Sequence, residues 1–199
     1  MIRRVLDTAA VLVLLPLAVP LALVTAGIVA LGLGRPILFR QHRAGRRGSV
    51  FLLWKFRTMT PPRSPDRALA DDAVRTPAAG RWLRRLRLDE LPQLFNVLKG
   101  DMALIGPRPL LPSTVAGMGF AGTTRALVRP GLTGWSQVNG NTLLSDAEKL
   151  KLDLWYVRNR SPMVDIEIIV RTLGVVALGE RRGSLVTEGG HAGNRRRRG

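Results

Sequence analysis

The chain has 199 residues, a length that suits one domain plus an appendage. Its 31 Lys and Arg against 14 Asp and Glu give a net charge of +17, which implies an anionic partner: nucleic acid, an anionic membrane surface or phosphorylated substrates. No cysteine means no disulfide and no thiolate chemistry, only two histidines argue against a His-based zinc site, and 5% aromatic residues argue mildly against base-stacking recognition of single strands.

Residues 8–34 carry no charge, a run of about 27 against the roughly 20 needed to span a bilayer. The run is too long, and lacks the small-residue cleavage site, for a signal peptide. Pro16 and Pro20 sit near its middle, where each removes a backbone hydrogen bond and bends a helix. Both flanks are basic, Arg3 and Arg4 before, then Arg35, Arg40, Arg43, Arg46 and Arg47. Lys and Arg favour the cytoplasmic side. A helix that bends and returns satisfies both flanks and a straight span satisfies one; the residues alone leave both open.

Residues 37–40 read as a short strand or extended link, 41–45 as turn-like, and 49–59 as rich in β-formers, which together predict a hairpin. Lys55 and Arg57 fall on one side of its second strand, either as a solvated basic edge or as a phosphate contact. Residues 60–80 hold four prolines and no apolar period, so they read as a loop of active-site-flap length with solvated acids at Asp66, Asp71 and Asp72. A basic helix is expected over 81–88, apolar at Trp82, Leu83 and Leu86.

Pro92 is tolerated only in a first helical turn, so a helix is predicted from near Asp89 through Leu91, Leu94, Phe95 and Leu98 to a stop at Gly100. Asp89 then lies at or near a helix start, which favours negative charge. One reading makes Asp89 an N-cap and Glu90 a first-turn acid. The neighbours favour another. Arg81, Arg84, Arg85 and Arg87 precede the pair and Arg108 follows between two prolines, a setting for metal-assisted phosphoryl chemistry. Any metal here is expected to be a hard cation held by carboxylates and phosphates, Mg2+ first.

Further on, residues 113–127 are Gly- and Ala-rich and give no clear period, and Pro130-Gly131 suits a type II turn. Ser145-Asp146-Ala147-Glu148 is a capping box that opens a helix, whose Trp155 and Tyr156 suit either a core or a lipid boundary. Ser161-Pro162 opens another, apolar at Ile166, Ile169, Val170, Leu173 and Val176, facing a core or a membrane. Arg195–Arg198 read as the end of a basic disordered tail.

Three stretches carry a resemblance: Asp-Glu-Leu-Pro-Gln-Leu-Phe-Asn-Val-Leu-Lys-Gly-Asp-Met at 89–102, Ile-Gly-Pro-Arg-Pro at 105–109 and Arg-Pro-Gly-Leu-Thr-Gly at 129–134. In order, within a similarity from residue 3 to residue 172, they resemble the bacterial sugar transferase family, the small monotopic phosphoglycosyl transferases. The resemblance implies transfer of a sugar phosphate from a nucleotide sugar, UDP by the family's habit, to polyprenol phosphate at the cytoplasmic face of the bacterial inner membrane. It implies Asp89 as nucleophile and Glu90 as its partner, either as metal ligand or as acid/base group, with Mg2+ at the Asp89–Glu90 pair and the carboxylate that binds it left open. It also implies substrate contacts from Arg108, Arg129 and Gln137 and from the basic-Phe-basic element of Lys55 and Arg57. The chain departs from the family's pattern at Val19, where Ser commonly precedes the bend proline, at Arg87, where a small hydroxyl residue is usual, and at Asn141, where Arg is usual.

The expected fold is α+β: a bent re-entrant N-terminal membrane helix (1–35), a small mainly helical catalytic domain with a short β element and amphipathic surface helices (36–180), and a basic tail (181–199). Nucleic acid is not an expected partner. The rival reading is a non-enzymatic, membrane-anchored basic protein that binds nucleic acid or anionic lipid. A third takes the chain as the catalytic half of a larger multi-span transferase, against which Arg3 so near Met1 suggests a natural start.

Overall fold

The apolar run and its first basic flank form a single helix, α1 (Ile2–Leu33), with Pro16 and Pro20 inside it. In this computed structural model the described residues are 2–61 and 72–180. The acids Asp66 and Asp71 and the basic tail lie outside them. Helix α1 is long and apolar enough to cross a membrane by length and composition. Side chains such as Val13, Leu17, Leu23 and Leu31 are exposed, while Val11, Ala18, Thr25 and Val29 are buried, seven, seven and four residues apart and so on one helix face. Thr25 Oγ1 donates back to the Leu21 carbonyl at 2.7 Å, a bond that favours bending.

The chain forms two compact units, residues 1–42 with 52–102 and residues 43–51 with 103–199. The predicted hairpin is present as β1 (Leu38–Ala44) and β2 (Val50–Phe56), its base in the first unit and its tip in the second.

In the first unit, β2 is followed by α2 (Asp72–Arg75) and α3 (Ala78–Arg85), so part of the expected 60–80 loop is helical. Gly80 is required there, because a Cβ would lie 2.1 Å from the Thr58 carbonyl oxygen. A 3-10 turn, Leu88–Glu90, leads through Pro92 into α4 (Gln93–Lys99), which ends at Gly100 with φ 94°. The stop falls where predicted. The start is corrected: Asp89 belongs to the 3-10 turn and the α-helix begins at Gln93. Val29, Phe56 and Leu83 form the core, with Leu33, Ile37, Leu88 and Leu91 against it. Asn96, fully buried, ties α4 to β2: it accepts from Trp54 N and donates to the Leu52 carbonyl and to Asp101.

Both ends of α1 are fastened within this unit. Arg4 Nη1 and Nη2 donate to the carbonyls of Val97 and Leu98, in the last turn of α4. Arg57 Nη2 donates to the carbonyls of Leu33, the last residue of α1, and of Gly34 just beyond it. Guanidinium groups at helix C-termini satisfy orphan carbonyls and oppose the negative end of the macrodipole.

In the second unit, β3 (Ala103–Ile105) pairs in parallel with β4 (Gly131–Thr133), Ala103 opposite Gly131 and Ile105 opposite Thr133. Between them lie α5 (Pro112–Gly117) and α6 (Phe120–Arg125), helices that the Gly-rich sequence hid. After β4 come α7 (Trp135–Val138), α8 (Asp146–Asn159) and α9 (Pro162–Leu178). Both predicted caps are present: Ser145 and Glu148 form the reciprocal box, and Ser161 Oγ accepts from Val164 N. Trp135, Val138, Leu152, Tyr156 and Ile168 make the core, and Trp155 stacks on Trp135 with centroids 4.6 Å apart. Trp155 and Tyr156 are therefore core residues.

The expected type II turn at Pro130-Gly131 is absent, since Gly131 has no positive φ. Gly131 is needed for close approach instead: a Cβ there would lie 2.1 Å from Gly106 N, and one on Gly106 would lie 2.4 Å from the Arg129 carbonyl oxygen.

Candidate active site

The first unit holds a carboxylate pair in unequal surroundings. Arg87, in the left-handed region at φ 58°, starts the 3-10 turn and turns Asp89 and Glu90 inward, where they are 6% and 8% exposed. Glu90 is held: Lys55 Nζ donates to its Oε1 at 2.8 Å, and Arg87 Nη1 lies 3.6 Å from its Oε2. Asp89 accepts no hydrogen bond and forms no ion pair among the described residues. Burial first, then the neighbouring Glu90 charge, pushes its carboxyl above the usual aspartate range, against the pull of Lys55, Arg84 and Arg87. A helix N-terminus was expected to favour ionised Asp89; burial and Glu90 act in the opposite direction.

Gln93, 2% exposed and one turn beyond Asp89, has its Nε2 buried without a hydrogen-bond partner among the described residues. Its place in the motif was the one signal for it. Arg84, one of the arginines that precede the pair in sequence, donates to Thr58 Oγ1 at 2.8 Å and is one of the charges acting on Asp89. Arg57 follows β2 directly, and its Nη2 is engaged at the end of α1.

Among the described residues no three His, Asp or Glu side chains gather in a metal-binding group. The Asp89–Glu90 pair nonetheless fits Mg2+, which commonly takes one or two carboxylates and completes its shell with water and substrate phosphate oxygens. A cation there would also relieve the anion that burial disfavours at Asp89.

The second unit holds Arg108, Arg129 and Gln137. Gly106 N donates to the Thr133 carbonyl and Gly131 N to the Pro107 carbonyl, each at 2.9 Å, so the Gly-Pro-Arg-Pro corner and the Arg-Pro-Gly segment lie side by side. The hairpin tip closes on the same corner: Ala44 N donates to the Leu110 carbonyl at 2.9 Å and Arg43 Nη1 to the Pro109 carbonyl at 3.3 Å. Burial and the nearby Arg108 charge lower the pKa of Arg43. That of Arg46 is lowered by desolvation and by Arg47, Arg129 and Arg160. Repulsion among these arginines makes the region receptive to an anion. Gln137, 4% exposed, donates to the Leu132 carbonyl at 3.0 Å and keeps its Oε1 buried without a partner among the described residues. Asn141 donates to Glu180, which also accepts from Thr142 N at 3.1 Å.

The chain is similar to several sugar transferases and phosphotransferases. It is 42% identical over 179 residues to the uncharacterized sugar transferase EpsL of Bacillus subtilis, covering 90% of this chain and 89% of that one. It is 37% identical to the UDP-N-acetylgalactosamine-undecaprenyl-phosphate N-acetylgalactosaminephosphotransferase of Aeromonas hydrophila, over 89% of this chain and 44% of the relative. It is 41% identical to the undecaprenyl-phosphate glucose phosphotransferase of Komagataeibacter xylinus, over 86% of this chain and 35% of the relative. The chain thus spans nearly all of the Bacillus protein and less than half of the other two. The profile of the family described as Bacterial sugar transferase matches residues 1–179, from the apolar helix to the end of α9. The buried carboxylate pair and the two glycine-packed loops are therefore those of a chain that belongs to the bacterial sugar transferase family.

Proposed function

We propose that the protein transfers a sugar 1-phosphate from a UDP-sugar to undecaprenyl phosphate, releasing UMP, as the first membrane step in assembling a surface polysaccharide. Family membership and the activities named for its relatives support the substrate classes. One observation carries the mechanism: Asp89, 6% exposed, accepts no hydrogen bond among the described residues, beside a Glu90 that is firmly held.

An Asp89 oxygen attacks the sugar-bearing phosphorus, the bond from that phosphorus to the UMP oxygen breaks, and UMP leaves. The sugar phosphate is then an acyl phosphate on Asp89. An oxygen of undecaprenyl phosphate attacks the same phosphorus, the acyl bond breaks, and the Asp89 carboxylate is restored. One phosphoanhydride replaces another, so no separate energy source is needed, and the covalent route splits one transfer into two. Asp89 and Glu90 would hold Mg2+, which would supply charge neutralisation for the diphosphate. Lys55 and Arg84 add positive charge near Asp89. Arg108 binds a phosphate bidentately, with Arg129 and Gln137 as further contacts. Arg57 fixes the end of α1 beside the strand that carries Lys55, and faces substrate phosphate only if that cap opens.

Helix α1 is read as re-entrant, with the catalytic residues on the cytoplasmic face of the bacterial inner membrane. The Arg4 and Arg57 bonds support this, because a unit on one side of a bilayer cannot hold both ends of a helix that crosses it. A non-enzymatic basic protein gives no reason for a buried Asp89 that accepts no hydrogen bond among the described residues.

The test is UMP release by the full chain in nanodiscs containing undecaprenyl phosphate, across a panel of UDP-sugars. Release with one or a few sugars, stopped by EDTA and restored by Mg2+, is expected. No release with any sugar contradicts the function, and release indifferent to EDTA contradicts the metal.

A further inference from the structure

The second unit contains a buried carboxylate that the proposed chemistry does not use. Asp153, on α8, is 3% exposed, and each of its oxygens reaches a different loop. Oδ2 accepts from Arg125 Nε at 2.7 Å, and Oδ1 accepts from Ser136 Oγ at 2.7 Å. Arg125, 5% exposed at the end of α6, passes the contact on: its Nη2 donates to the backbone carbonyl of Arg108. Ser136, 3% exposed, adjoins Gln137 on α7.

Arg125 is thus a fork with one tine on Asp153 and another on the Gly-Pro-Arg-Pro corner. The prolines on either side of Arg108 limit the corner's torsions but do not fix where it sits. Its seat is set by the bonds of Arg125 and Arg43 to its carbonyls and by the Gly106–Gly131 packing. Replacing a buried ion pair by apolar residues is often neutral for stability, so stability alone is a weak reason for this one.

We propose that Asp153 is a positioning residue: through Arg125 it sets the Arg108 corner, and through Ser136 it sets the α7 segment that carries Gln137. One carboxylate thereby holds two candidate phosphate contacts in register. The proposal rests on Arg108 binding substrate phosphate, as given above.

A double-mutant cycle separates positioning from simple structural support. Arg108→Lys and Asp153→Asn are made singly and together in the full chain, and kcat/KM for the UDP-sugar is measured per folded enzyme. Each single change is expected to lower kcat/KM roughly 10- to 100-fold, the range for a charge-assisted hydrogen bond. If Asp153 acts through Arg108, the double variant is no worse than the poorer single one. Losses that multiply overturn the proposal and leave the role of Arg108 intact. A silent Arg108→Lys sinks the reading of Arg108 as a phosphate contact, and this proposal with it. Should Asp153→Asn fail to fold, Arg125→Lys serves in its place, because it keeps the charge beside Asp153 and removes the fork. The same non-multiplying loss is expected; wild-type kcat/KM in Arg125→Lys overturns the proposal.

Discussion

Lys55 Nζ meets Glu90 Oε1 at 2.8 Å, and the adjacent Asp89 carboxylate accepts no hydrogen bond among the described residues. Two neighbouring acids on one 3-10 turn therefore differ in kind, one anchored and one available. Lys55 also favours ionised Asp89 from nearby. Lys55→Met should move the acidic limb of the pH–kcat/KM profile to higher pH and cost about 1.5–3 kcal/mol of transition-state stabilisation, as expected for a lost charged hydrogen bond. An unshifted limb would separate Lys55 from the electrostatics of Asp89.

Burial of Asp89 also gives a stability prediction of definite sign. Its folded pKa is raised, so the folded protein binds a proton more readily than the unfolded chain. Stability then falls as pH rises from the unfolded pKa through the folded one, and the full penalty is present above both. Asp89→Asn should therefore raise Tm at neutral pH in the absence of substrate. The gain should shrink as pH drops below the folded value. Thermal melts of both proteins from pH 4 to 8 check this, and a lower Tm for Asp89→Asn at pH 7.5 would mean that the carboxylate is compensated.

The closeness of the Arg108 corner and the Arg129 segment depends on glycine. In Gly131→Ala the new methyl would sit 2.1 Å from Gly106 N, a backbone atom that cannot swing away. Destabilisation at or above the upper end of the about 1–3 kcal/mol range for overpacking is expected, with loss of activity. Chemical denaturation measures it, and a change below about 0.5 kcal/mol, the scale of a surface substitution, would be incompatible with this packing.

Much of this was legible in the sequence. The capping box at Ser145 and the Ser161-Pro162 start are local chemistry and appear as read. The stop at Gly100 rests on one residue's left-handed φ and is equally local. What could not be read depends on distant partners. No pattern reveals that Arg57 also caps a helix ending 24 residues earlier. Asp153 looked like one polar position on a helix, and only tertiary contact with Arg125 and Ser136 gives it a role. The Pro-Gly pair at 130–131 suggested a turn by propensity, while the actual need for glycine comes from Gly106, 25 residues away. Asp89 was read correctly as near a helix start, but the upward push on its pKa could not be read, because burial is not a local property.

The topology of α1 has its own test. Since the chain has no native cysteine, single cysteines replace Ile2 and Ile37 cleanly. Both are expected to resist an impermeant thiol reagent in intact cells and to react once the cells are opened. Periplasmic labelling at position 2 alone would make α1 a span and leave the Arg4 bonds to Val97 and Leu98 impossible in the membrane. Pro20→Ala should increase such labelling, because it restores the backbone bond that the bend requires to be missing.

The central claim is that Asp89 carries the sugar phosphate covalently, and isotope exchange tests it most directly. Radiolabelled UMP is incubated with the full-length protein, Mg2+ and unlabelled UDP-sugar, with no undecaprenyl phosphate present. A covalent aspartyl phosphate formed reversibly predicts label in the UDP-sugar for the wild type and none for Asp89→Asn. Exchange that strictly requires the lipid acceptor, or that persists in Asp89→Asn, would contradict it.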